Sequence, residues 1–148
     1  TLVAQWAEIP VPVETVDVFR AYNPNTGEHV FTLELSEYGA LCAKGWRGEG
    51  IAWKAPKVGK QVFRVYNPVV GEHIYTMDPK EVSDLVLAGW RAEGFAFNSA
   101  DESGLPIYRT YNPNATVGTH MYTTSKEEYD KICRAGWRGE GISFYACN

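Results

Sequence analysis

The segment Val18 to Ala55 is written twice more along this chain, and a repeat of fixed period constrains the fold more than any other feature. The first copy holds Tyr22-Asn23-Pro24, then Gly27-Glu28-His29-Val30-Phe31-Thr32, then Gly45-Trp46-Arg47-Gly48-Glu49-Gly50. The second holds Tyr66-Asn67-Pro68, Gly71-Glu72-His73-Ile74-Tyr75-Thr76 and Gly89-Trp90-Arg91-Ala92-Glu93-Gly94. The third holds Tyr111-Asn112-Pro113, Gly118-Thr119-His120-Met121-Tyr122-Thr123 and Gly136-Trp137-Arg138-Gly139-Glu140-Gly141. Tyr recurs after 44 and 45 residues, and His precedes Trp by 17 in every copy. The repeats are expected to run 18–57, 61–99 and 106–147 within one domain, 1–148, after an N-terminal strand or connector, 1–17, in which Leu2 to Trp6 reads as an extra strand broken off by Pro10 and Pro12.

Each copy carries one local code. Val18 to Tyr22 reads as a strand, from its β-branched and aromatic content. Asn23 to Gly27 is a turn, lengthened by two residues in the third copy, and His29 to Leu33 is the return strand. A helix follows. Asp78-Pro79-Lys80-Glu81 and Ser125-Lys126-Glu127-Glu128 read as capping boxes, whereas Glu34 is a poorer cap by roughly 1 kcal/mol. The stripes Tyr38/Leu41/Cys42, Val82/Leu85/Val86 and Tyr129/Ile132/Cys133 follow helical spacing and are expected to be buried. Gly45, Gly89 and Gly136 end the helices. Trp46, Trp90 and Trp137 read as core anchors, and Ile51-Ala52-Trp53 and its equivalents as a last strand. Asn98 to Gly104 is expected to be a polar, flexible connection. A strand–strand–helix–strand unit cannot bury its apolar face alone, but three can. The expected fold is therefore a β-rich α+β domain closed about a pseudo-threefold axis, propeller-like, with a β-trefoil as second choice.

Composition matters mainly for what it excludes. A net charge of −4 argues against nucleic acid, which needs clustered Lys and Arg. No apolar run is long enough to span a bilayer as a helix. The opening at Thr1, without an initiator Met, reads as a processed form or an excised fragment. Cys42 and Cys133 share a position that Val86 takes in the second copy, as a buried free thiol would. The alternative is a bridge, with Cys133–Cys147 the pair to test. No Cys or His spacing suits structural zinc, and no cofactor is expected.

Three residue sets could carry function. His29, His73 and His120 are all the histidines, one per copy. They are read as structural, donating to a turn carbonyl, or as part of a ligand pocket, ahead of a three-His metal site. Glu49, Glu93 and Glu140 could join Glu28 or Glu72 as a hydrolytic pair. Thr119 breaks that pairing, so they are read instead as partners of arginines such as Arg20 or Arg47 in a network between repeats, and no catalytic residue is expected. The aromatics weigh most for binding, since sugars present apolar C–H faces rimmed by hydroxyls. Tyr22, Asn23, Glu28, His29, Tyr66, Asn67, Glu72, His73, Tyr111, Asn112 and His120 supply rings, amides and carboxylates near the hairpin ends.

The Tyr-Asn-Pro…Gly-Glu-His-x-Tyr-Thr…Gly-Trp…Glu-Gly pattern resembles a repeat family of unassigned function in secreted bacterial and fungal proteins, appended in bacteria to cell-wall or polysaccharide hydrolases. The resemblance implies a secreted or wall-associated accessory module that binds a glycan or cell-wall polymer through up to three weak sites. A protein-binding, adhesin-type surface module engaging a host or surface protein is the alternative reading, and a glycan or peptidoglycan hydrolase a third.

Overall fold

The structure, a computed structural model, describes residues 14–148; Trp6, Pro10 and Pro12 lie outside the described residues. Each repeat forms one three-stranded antiparallel sheet with its first strand in the middle. In the first, β1 (Thr15–Tyr22) lies between β2 (His29–Thr32) and β3 (Arg47–Pro56), and α1 (Leu35–Ala43) joins the outer two. The second comprises β4 (Lys60–Asn67), β5 (Glu72–Thr76), α2 (Pro79–Leu87) and β6 (Arg91–Ser99). The third comprises β7 (Leu105–Tyr111), β8 (His120–Thr123), α3 (Lys126–Arg134) and β9 (Arg138–Ala146). Among the described residues no strand pairs across repeats, so the sheets share no barrel of the kind a trefoil requires.

The last strands are much longer than the three residues expected. The Arg-x-Glu-Gly stretch is the start of each strand, with a register shift against the central strand and Gly50, Gly94 and Gly141 at positive φ. Residues 98–104 are also better tied than expected. The Ala100 N–H donates to the Tyr145 carbonyl, and Asp101 accepts from the Ser103 N–H.

Strand alternation places His29 and Phe31 on one face, and equivalent residues then meet in layers. Phe31, Tyr75 and Tyr122 form a triangle of edge-to-face rings with centroids 5.5–5.7 Å apart. Trp53, Phe97 and Phe144 form a second triangle, 5.4–6.3 Å, stacked on the first. Val18, Val62 and Ile107, with no exposed surface, complete this core from the central strands. Hydrogen bonds bind the first triangle. The Phe31 N–H donates to Tyr75 Oη, and the Tyr75 N–H to Tyr122 Oη, at 2.9 Å each. Tyr122 Oη in turn donates to the Tyr75 carbonyl.

The helices lie outside this core. Their stripes are half-buried, not buried, and Val86 is exposed; a single helix against one sheet covers only one side of each residue. Trp46, Trp90 and Trp137 are likewise half-buried at the helix ends, where the Trp N–H caps a carbonyl of the last turn. They are not core anchors. Asp78 and Ser125 accept cap hydrogen bonds from Lys80 and Glu128 N–H, and Glu34 makes none, as expected. The return half of the capping box is absent. The cap residue's own N–H goes instead to Thr32, Thr76 or Thr123 Oγ1. All three thiols are free and half-buried.

Candidate functional site

At the hairpin end of the core, each histidine heads the aromatic layers. His29 lies 4.8 Å from Tyr22, His73 4.7 Å from Tyr66 and His120 5.1 Å from Tyr111, centroid to centroid. Each tyrosine ring also carries an arginine of the third strand: Arg47 over Tyr22, Arg91 over Tyr66 and Arg138 over Tyr111, at 5.1–5.8 Å. Arg47 therefore stacks, whereas Arg20 pairs with Glu49 at 2.8 Å, Arg64 with Glu93 at 2.9 Å and Arg109 with Glu140 at 2.8 Å. The arginine–glutamate pairing thus lies within each repeat and not between repeats as expected, because each Glu sits on the third strand beside the central strand that carries its Arg. The same Glu approaches its histidine Nε2, 3.3–3.6 Å away.

The links between repeats come from carboxylates whose role the pattern did not disclose. Glu37 of α1 holds Arg64 through two hydrogen bonds, 2.8 and 2.9 Å, and Glu81 of α2 holds Arg109 through two, 3.1 and 3.0 Å. Glu81 comes from its capping box, and Glu37 holds the same position in α1. The Arg64 hydrogen bonds hold the Glu37 carboxyl below its ordinary range. For Glu81 burial acts upward, but bonds from Arg109 and Thr76 outweigh it.

Glu28 and Glu72 are buried and turned toward the following repeat. Glu28 Oε1 accepts from the His73 N–H at 2.9 Å and lies 2.7 Å from His73 Nδ1. Glu72 Oε1 accepts from the N–H groups of Thr119 and His120 and from the Thr119 hydroxyl. His73 and His120 are therefore fixed by carboxylates of the preceding repeat rather than by turn carbonyls, and these two glutamates present nothing to a ligand. Asn23, Asn67 and Asn112 use their side-chain oxygens to accept backbone N–H bonds two residues on, forming the turns. No group of His, Cys, Asp or Glu that could hold a metal occurs among the described residues.

Of the expected residues, the fold gathers one subset around a pocket of about 320 Å³ between the first and third hairpins: Tyr22, His29, Asn112 and His120. Trp137 and Met121 join them, residues that sequence reasoning had assigned to the core or not weighed. The lengthened third loop supplies Val117 and Gly118. Gly118 lies against the Gly27 backbone so closely that a Cβ would clash. Tyr66, Asn67 and His73 do not line it.

Two larger concavities differ in chemistry. One, about 530 Å³ between α2 and β9, is lined by Glu81 and Glu140, both already paired with Arg109, and by no aromatic ring. Its counterpart between the first two repeats is closed to about 100 Å³, with Phe95 and Ala96 in place of Ile142 and Ser143. The other, about 580 Å³, sits at the opposite strand ends beside Val58 and Cys147.

The family of a domain of unknown function, DUF5648, matches residues 17–147. The chain belongs to the DUF5648 family. Its match spans all three sheets and both sides of the hairpin pocket. No curated protein and no solved structure matches the chain.

Proposed function

We propose that this DUF5648 chain is a non-catalytic glycan-binding module of a secreted protein, acting on a cell-wall or other extracellular polymer. What supports the reading above all is the hairpin pocket, where the Tyr22, His29, His120 and Trp137 rings meet the Asn112 amide. Apolar ring faces beside a few polar groups are what a pyranose requires. The pocket favours one principal site over three equivalent ones. The engagement of Glu28, Glu72, Glu49, Glu93 and Glu140 with His, Arg or backbone partners favours binding over hydrolysis. The stacked aromatic triangles favour a three-bladed, propeller-like closure.

A glycan array and a pull-down on wall polysaccharide test this reading. Binding is expected, with loss in Trp137→Ala and Tyr22→Ala and an unchanged circular dichroism spectrum. No signal on either would end it. A protein-binding surface draws support from Ile51, Phe95 and Ile142, one exposed apolar residue on the third strand of each repeat. That reading predicts binding lost on changing these three and indifferent to Trp137.

A further inference from the structure

The repeats are not equivalent at their junctions. Between the first and second, Glu28 receives both the backbone N–H and Nδ1 of His73. Between the second and third, Glu72 receives the His120 N–H at 3.2 Å and lies 3.7 Å from its Nδ1. Between the third and first, the corresponding residue is Thr119, whose hydroxyl turns back to Glu72. The hairpin directs the His29 N–H away from β1, because the neighbouring pair is closed by the Asn23 N–H donating to the Glu28 carbonyl. Among the described residues no acceptor reaches that N–H or His29 Nδ1. His29 lines the hairpin pocket, which no carboxylate lines.

We infer that the His29 N–H and imidazole seat the carboxylate of an acidic sugar, of the uronic-acid class, as Glu28 is seated on His73. This rests on the glycan-binding reading and adds the ligand's charge. The repeat itself supplies the template: two junctions hold a carboxylate from the chain, and the third has the same donors opening onto an aromatic pocket. The charged groups around His29 are Arg20 on β1, Glu49 on β3 and Glu128 on α3. Burial, then Arg20, lowers its proton affinity below the ordinary value of 6.5, and a bound carboxylate opposes both. Affinity for the acid therefore rises as pH falls through the histidine range.

The test is calorimetry with an oligogalacturonide and its carboxyl-reduced, neutral counterpart. The acid should bind about tenfold or more tightly, the gain of a charge-assisted hydrogen bond. Thr119→Glu places the chain's own carboxylate in the seat and should abolish that preference, with a circular dichroism spectrum that shows the fold retained. His29→Phe, which keeps the ring on Tyr22, should abolish it as well. The His29 ring nitrogen resonances should shift with the acid and not with the neutral sugar. Equal affinity for the two sugars, or a preference that persists in His29→Phe, overturns the carboxylate seat while leaving glycan binding intact. Binding of neither sugar overturns the uronic-acid seat, and the glycan reading then falls only if the array and the wall pull-down are silent too. A peptide with a free C-terminal carboxylate that binds as tightly as the oligogalacturonide overturns the sugar assignment.

Discussion

Single hydroxyl groups do much of the work of registering one repeat on the next. Phe31, Tyr75 and Tyr122 occupy one position in the motif, yet only the two tyrosines can accept the neighbouring N–H. Burial pushes the Tyr122 phenol up to about 12, so it remains a neutral group able both to accept from and to donate to Tyr75. Tyr122→Phe leaves a buried N–H and a carbonyl of Tyr75 without that partner, whereas Tyr75→Phe leaves only the Phe31 N–H. The expected cost is about 1–3 kcal/mol for Tyr75→Phe and more for Tyr122→Phe, read from urea unfolding of each variant. The reverse order would show that the donated bond contributes nothing. At this scale the sequence was legible for identity but not for direction. The recurrence of His29 and Glu28 marked them as important; that Glu28 serves the histidine of the next repeat depends on how repeats dock, which no spacing within one copy encodes.

The helices show what local patterning can and cannot convey. Their caps were legible because a cap is a bond between residues two or three apart, and the poor cap of α1 is a testable weakness. Glu34→Ser should stabilise the protein by about 0.5–1 kcal/mol, with a higher melting temperature; no gain would mean that α1 starts without need of a cap. Helix placement was partly written in the repeats as well. Gly48 and Gly139 lie under Tyr38 and Tyr129, which accept the Gly50 and Gly141 N–H bonds, whereas the second repeat pairs Ala92 with Val82. Large helix residues go with glycine on the strand and smaller ones with alanine, a size match between helix and sheet. The stripes nevertheless looked like core, because helical periodicity reports which face is covered, not how deeply. The clamps formed by Glu37 and Glu81 are the element-scale link between repeats. Both carboxyls have lowered proton affinity when folded, so their stabilisation is present above the ordinary value of 4.5 and lost as pH falls through the lowered one. Each is partly exposed, so its worth is about 1 kcal/mol or less. Glu81→Gln should lower stability at neutral pH and flatten its fall in acid, measured as urea midpoints against pH. An acid limb as steep as that of the parent would remove Glu81 from the linkage.

Across the whole molecule, threefold repetition dictates a shared core, since each sheet offers two aromatic residues that only the other two sheets can cover. Trp53 meets Phe97 and Phe144, and Phe31 meets Tyr75 and Tyr122, so removing one repeat uncovers both layers in the remaining pair. The strand ends are tied round in the same sense. The Cys147 N–H donates to the Lys54 carbonyl, and the Ala100 N–H to the Tyr145 carbonyl. A chain ending at residue 104 should therefore fail to fold cooperatively, although it contains two complete units with all their local signals. Solenoid repeats behave differently, because each touches only its neighbours and partial arrays remain stable. Amide exchange separates the cases. Loss of protection in β1 and β4 on truncation is the expected result, and protection retained in both strands would show that two sheets suffice. The same reasoning explains why a pocket forms at one junction: three units that must close leave the last junction to be made by the copy that diverged, with Thr119 and a longer loop.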